Sequence, residues 1–298
     1  MQSAVPYLGE ALSILTAIIW AFAVTLFKKS GESVHPLALN AFKNLLAFIL
    51  FIPTILLLRQ SLLFPVPGHI YAILFFSGAL GLGIGDTLFF KSLNILGAGL
   101  TGIVLCFYSP SIIIFSFLWL NESLTSAQLF GVLLIISAIL VATVRHPPTN
   151  VTTTRIILGI TYGIISQVAV AIGVIMIKPL LNLYPVIWIA EIRLIGGLVV
   201  LAIVLLFYPK RKNVIDSLIR THNWRYTLTG SFVGAYLVMI IWLAGVKYTQ
   251  ASIASALNQT STIFIFIFAG LMLKEPVTLR RASGIMLAFV GAFLVSFF

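Results

Sequence analysis

Hydrophobic residues along this chain gather into long runs rather than into strand-like alternation, and short polar breaks separate the runs. Ten such segments fall at about Leu8 to Phe27, Leu37 to Leu58, Ile70 to Phe90, Gly97 to Leu120, Ala127 to Val144, Ile156 to Ile177, Val186 to Phe207, Tyr226 to Val246, Ser252 to Leu273 and Ala282 to Phe298. Each approaches the roughly 20 apolar residues that carry a helix across the hydrocarbon of a bilayer. The pattern therefore predicts an all-α polytopic membrane protein with ten transmembrane helices. These would use on the order of 200 of the 298 residues and leave only short loops. Pro, Gly, Asn and charge fill the breaks, and the stretch Arg145 to Arg155, with Pro147-Pro148, is the best linker between two halves.

The halves repeat. Gly9 and Gly159 differ by 150, as do Lys28 and Lys178, while Leu93 and Val246, Ala98 and Ala251, Glu122 and Glu275, and Gly131 and Gly284 all differ by 153. Constant offsets over this many positions indicate a duplication, with one five-helix repeat over 1–148 and a second over 149–298. An odd number of crossings per repeat inverts the second copy relative to the first, the design that secondary transporters use to alternate access around a midplane site.

Composition agrees: 60% of residues are hydrophobic, 8% are charged and the mean hydropathy is +1.14. The formal charge of +11 sits in loops between apolar runs, where it sets topology, and nucleic acid is excluded as a partner. Most loop Lys and Arg follow the odd-numbered segments, which by the positive-inside rule places that side in the cytoplasm and both termini outside. The first apolar run lacks a basic leader and a small-residue cleavage site, so it is expected to be a retained helix. Cys106 is the single cysteine and lies in an apolar run, giving neither a disulfide nor a metal-ligand pattern. No phosphate-binding or dinucleotide-binding glycine motif and no His pair at ligand spacing occurs, so neither a cofactor nor an enzyme activity is expected.

Charge inside the bilayer costs about 2.5 to 3.5 kcal/mol per group on insertion scales, so the few such residues are candidates for function. Lys43 and Arg193 follow Pro36 and Pro185 by seven and eight residues, about 10 to 12 Å into their helices. They either receive an anionic group from opposite faces or snorkel to headgroups. Glu191 stands two residues from Arg193, nearly opposite around a helix, and is a candidate proton carrier or a partner in an interhelical salt bridge. Asp86 is expected to cap a helix end or to serve an interface, with a coupling site as the alternative, and Gly78, Gly81, Gly83 and Gly85 before it either offer a smooth surface for close helix contact or permit bending during access change. The ninth segment carries Asn258-Gln259-Thr260-Ser261-Thr262 in mid-membrane, and the fourth carries Tyr108-Ser109-Pro110, where proline frees a backbone carbonyl. With Ser166 and Gln167 of the sixth, these segments form the expected substrate wall. Trp20, Trp188 and Trp242 lie within helices and are expected mainly to pack.

The run Asn121-Glu122-Ser123-Leu124-Thr125 leading through Gly131 into a final helix, and Lys274-Glu275-Pro276-Val277-Thr278 leading through Gly284, resemble the hallmark endings of EamA-type repeats. Gly85 to Leu93 followed by Gly97-Ala98 resembles the family's third-to-fourth helix pattern, and Lys43 falls where the family often has an arginine. The chain thus resembles a ten-helix member of the drug/metabolite transporter superfamily over essentially its whole length. That resemblance implies carriage of a small organic metabolite, usually outward, without ATP hydrolysis and with both termini cytoplasmic, the reverse of the loop-charge reading. An amino acid or related compound moved across the plasma membrane in exchange for protons is the leading expectation. Translocation of a lipid headgroup or a lipid-linked sugar is the alternative within transport, and an intramembrane enzyme or a non-transporting subunit is the alternative outside it.

Overall fold

The computed structural model describes residues 7–120, 125–143, 152–249, 254, 257–275 and 278–297. Among these residues every regular element is helical. The first half comprises α1 (Leu8–Ser30), α2 (Pro36–Leu57), α3 (Gly68–Gly78), a π-helical turn (Ala79–Gly85), α4 (Asp86–Leu105), α5 (Tyr108–Leu120) and α6 (Ser126–Thr143). The second comprises α7 (Thr153–Leu181), α8 (Val186–Phe207), α9 (Arg211–Ile219), α10 (Trp224–Ser231), a second π-helical turn (Phe232–Leu237), α11 (Val238–Tyr248), α12 (Ser261–Leu273) and α13 (Leu279–Phe297). Among the described residues six helical stretches are long and apolar enough to cross a membrane: Leu8–Ser30, Pro36–Leu57, Gly68–Leu105 with a break at Gly97, Thr153–Leu181, Val186–Phe207 and Trp224–Tyr248. Shorter apolar helices cover Tyr108–Trp119, Leu129–Ala138, Leu257–Leu273 and Ala282–Gly291.

Local chemistry sets the boundaries. Pro36 occupies the first turn of α2, where its missing N–H costs nothing, and the His35 ring accepts a hydrogen bond from the Leu37 amide at 3.2 Å. Between the third and fourth segments the chain turns at Gly97, whose φ of +79° favours glycine. The amides of Ala98 and Gly99, left open by that break, donate to the Glu275 carboxylate at 2.8 and 3.0 Å. A Cβ on Gly97 would lie 2.8 Å from the same carboxylate, a second reason for glycine there.

Three features differ from the sequence expectation. Asp86 is not near a helix end, because the helix that contains it continues to the break at Gly97. Residues 209–223, expected as a loop, contain the short surface helix α9, pinned by the buried Val214 and the partly buried Leu218 four residues on. The fourth segment is interrupted before Pro110 rather than at it: the backbone turns at Cys106-Phe107, and Pro110 sits in the first turn of α5, where proline is tolerated. The linker residues 145–151 and Glu122 lie outside the described residues.

Packing runs between the halves in matched contacts. A Cβ on Gly163 of α7 would approach Ser92 Oγ at 2.9 Å, and one on Gly245 of α11 would approach Ser13 Oγ at 2.9 Å; Ser13 and Gly163 differ by 150, Ser92 and Gly245 by 153. Lys28 Nζ donates to the Asn94 carbonyl at 3.2 Å, while Lys178 Nζ donates to the Val246 and Thr249 carbonyls at 2.6 and 3.0 Å. Each lysine thereby satisfies backbone acceptors where the third or eighth segment ends. The glycines before Asp86 allow direct backbone contact, as expected: a Cβ on Gly78 would overlap the Arg193 carbonyl of α8, and one on Gly196 would overlap the Phe75 carbonyl of α3. The last helices of the two halves meet the same way, since a Cβ on Gly291 would lie 2.7 Å from the Gly131 carbonyl.

Removing the Glu275 carboxylate should unpair two amides at a helix start. Glu275→Ala is expected to lower stability by on the order of 2 kcal/mol, read as a depressed thermal unfolding midpoint in detergent relative to wild type.

Candidate functional site

Two irregularities recur in both halves and together shape the interior. The π-helical turns begin at Ala79 and Phe232, which differ by 153. A π-helical turn widens the helix and leaves carbonyls without their usual partners, and such turns gather at functional sites. In the first half the freed groups are met by α2: Asn40 Nδ2 donates to the carbonyls of Leu82 and Gly83 at 2.9 and 3.0 Å, and Asn44 Nδ2 donates to that of Leu82 at 3.2 Å. Between those asparagines, Lys43 forms a 2.6 Å ion pair with Asp86, immediately after the turn, and also donates to Asn44 Oδ1 at 2.9 Å.

The second irregularity is a break in the fourth and ninth segments at matched positions. The Phe107 amide donates to the Val104 carbonyl at 3.0 Å, and the Thr260 amide, 153 residues later, donates to the Leu257 carbonyl at 3.1 Å. Beside these breaks two side-chain pairs cross between halves. Cys106 Sγ lies 3.3 Å from Thr262 Oγ1, and Gln259 Nε2 donates to Ser109 Oγ at 3.1 Å. Cys106 and Gln259 are equivalent by the 153 offset, as are Ser109 and Thr262, so the two pairs are one contact made twice.

Between the breaks and the π-helical turns lies a cavity of about 150 Å³. Its wall is built from equivalent positions of both halves: Thr16 and Ser166, Trp20 and Val170, Phe89 and Trp242, Leu105 and Asn258, Tyr108 and Ser261. Gln167, Gln259, Val238 and Asp86 complete it, and Asp86 is its one charged member among the described residues. The expected wall residues Tyr108, Ser166, Gln167, Asn258 and Gln259 are thus brought together. Asn258 and Gln259 stand at the break just ahead of α12 rather than inside an unbroken helix. Asn258 Oδ1 is buried without a hydrogen-bond partner among the described residues.

The three expected charged residues are placed differently. Lys43 reaches the cavity only through Asp86. Arg193, its equivalent 150 residues later, is buried and directs Nε to Ser77 Oγ at 3.0 Å, and Ser77 in turn donates to the Gly173 carbonyl at 2.6 Å. Glu191 is also buried, does not line the cavity, and its Oε2 has no hydrogen-bond partner among the described residues. Asp86, for which capping or an interface was the first expectation and a coupling site the alternative, lies on the cavity wall. Its sequence signal is a carboxylate five residues before Lys91 on a glycine-rich helix, and that helix runs on to Gly97. Trp20 and Trp242, expected to pack, line the cavity, while Trp188 packs in the core and donates Nε1 to the Leu62 carbonyl at 3.2 Å.

The model of the EamA-like transporter family matches the chain twice, over residues 7–144 and 157–297. The chain belongs to this family. Two proteins of Archaeoglobus fulgidus, each named "Uncharacterized transporter", are similar to this EamA-like protein along nearly its full length. One is 22% identical over 284 residues, covering 95% of this chain and 96% of its own, and the other is 24% identical over 286 residues, covering 94% and 96%. A solved crystal structure superposes with a TM-score of 0.72 at 16% identity, covering 99% of this chain and 96% of that one, a likeness of fold. The family establishes a non-enzymatic, multi-pass membrane transporter whose setting is the lipid bilayer and whose partner is a small molecule.

Asn40 holds the first π-helical turn through carbonyls that lipid cannot satisfy. Asn40→Leu is expected to destabilise the protein by about 1 to 3 kcal/mol, seen as a lowered unfolding midpoint, with Asn40→Asp recovering less than half of the loss because it supplies no donor.

Proposed function

We propose that this protein is a secondary carrier that moves a small polar or amphipathic metabolite, an amino acid or related compound, outward across the cell membrane in exchange for protons. The observation that carries the reading is the cavity walled by equivalent positions of both halves at the paired helix breaks. On this reading the chain is ten membrane helices arranged as two inverted five-helix repeats, 1–148 and 149–298, and the short apolar helices are crossings like the six long ones. The reciprocal contacts, the paired breaks and the paired π-helical turns support that arrangement. They are what two copies related by a two-fold axis in the membrane plane would make.

Size and chemistry support the substrate class. A cavity of about 150 Å³ matches the engineered protein cavity that takes up one benzene molecule. Its aromatic faces suit an apolar body and its amides and hydroxyls suit a polar head. Glu191 is the proposed proton carrier. A buried carboxyl oxygen without a partner is where gain or loss of a proton most alters the energy of its surroundings.

Reconstituted in proteoliposomes, the protein should catalyse counterflow of a labelled amino acid at a rate that varies with an imposed pH gradient. Asn258→Ala and Gln259→Ala are each expected to reduce that flux about tenfold with normal amounts of folded protein, and wild-type kinetics in both would remove the ninth segment from the site. Glu191→Gln should flatten the pH dependence while leaving counterflow at fixed pH, and an unaltered pH profile would dismiss it as the proton carrier.

A further inference from the structure

Asp86 is one of two charged groups that the cavity can engage, and the second stands directly behind it. Its carboxylate lines the cavity with 17% of the side chain exposed, while Lys43, 4% exposed, closes the other side of the pair at 2.6 Å. Two further contacts keep the ammonium in place when Asp86 moves: Asn44 Oδ1 at 2.9 Å and the ring of Phe90, 5.9 Å away. Asn258 Oδ1, on the wall of the same cavity, is a buried acceptor with no donor among the described residues. A third charge, Arg193, lies within electrostatic reach of Asp86 but is committed to Ser77.

We propose that Lys43 and Asp86 are the substrate-recognising pair and that the substrate is a zwitterion which inserts into their salt bridge, its ammonium taking Asp86 and its carboxylate taking Lys43. This rests on the carrier reading and adds to it the charge class of the cargo and the residues that read it. Charge balance selects the class, because an uncompensated ion in a buried site is costly. A cationic amine bound at Asp86 would displace Lys43 and leave three positive groups, counting Arg193, around one carboxylate. An anion bound at Lys43 would leave the Asp86 carboxylate facing the cavity without its counter-ion. A zwitterion replaces one ion pair by two and strands no charge. Its ammonium has a second proton for Asn258 Oδ1, so the orphaned acceptor is satisfied in the same step. With the cavity empty, the two residues neutralise each other, which keeps the site assembled without substrate.

Three single-ring probes of equal body separate the charge classes: L-phenylalanine, phenethylamine and 3-phenylpropionate. Binding to the purified protein in detergent can be read from quenching of tryptophan fluorescence, since Trp20 and Trp242 line the cavity, with thermal shift as a second measure. Wild type should bind phenylalanine about tenfold or more tighter than either singly charged probe. Asp86→Asn should reverse the preference toward 3-phenylpropionate, and Lys43→Gln should reverse it toward phenethylamine. The double variant Lys43→Gln/Asp86→Asn strands no charge, so it tests folding, and it should bind the three probes without preference. No binding of any probe to wild type, equal binding of all three, or single variants that keep the wild-type order would each overturn the proposal. Binding with the expected reversals but no flux in proteoliposomes would instead remove the carrier reading and leave the recognition pair standing. Flux whose charge selectivity is unmoved in Asp86→Asn would do the opposite.

Discussion

Lipid hydrocarbon offers no hydrogen-bond partner, so each backbone amide or carbonyl released from a helix inside the membrane must be met by the protein itself. The interior of this protein is organised around the places where that debt arises. Gly97 releases two amides, and a carboxylate from the far end of the chain accepts both. The π-helical turn at Ala79–Gly85 releases carbonyls, and two asparagines of the neighbouring helix donate to them. Lysines do the same at the ends of the third and eighth segments. Polar groups at the helix breaks, among them Tyr108, Asn258 and Gln259, share the cavity wall with polar groups from unbroken helix such as Ser166 and Gln167.

The two halves share a backbone plan but not a chemistry. Equivalent positions surround the cavity, yet leucine at 105 answers asparagine at 258, phenylalanine at 89 answers tryptophan at 242, and Asp86 has Met239 as its equivalent. Duplication supplied matched breaks and matched widened turns, and substitution then placed the charge on one side and the amides on the other. Such a site can bind an asymmetric molecule in one orientation, which a perfectly symmetric cavity could not enforce. The cavity lies between the halves, and each half contributes a wall of its own.

How far the sequence could be read follows from which features leave a local trace. Apolar runs and the constant offsets between Lys28 and Lys178 or Glu122 and Glu275 revealed the membrane class and the duplication, because hydropathy and spacing survive without coordinates. Asn258, Gln259, Gln167 and Tyr108 were legible as residues of the cavity wall because polar side chains inside apolar runs are costly. Asp86 was legible only as the lesser alternative, since its place on the wall depends on the chain remaining helical past Lys91 and on Lys43 lying opposite, neither of which is local. The π-helical turns left no sequence signal that periodicity could detect, as their glycines read equally well as packing surface. Trp20 and Trp242 differ from Trp188 only in what lies across from them, so the sequence could not sort wall from core.

The asparagine strap on the first widened turn has no equivalent on the second, because the positions matching Asn40 and Asn44 are Ala190 and Leu194. Two identical halves would tie down their widened turns in the same way. A fastener carried by one half alone removes that equivalence, so the turn at Ala79–Gly85 is clasped by amide donors that the other half does not carry at the matching positions, and the two turns need not yield together.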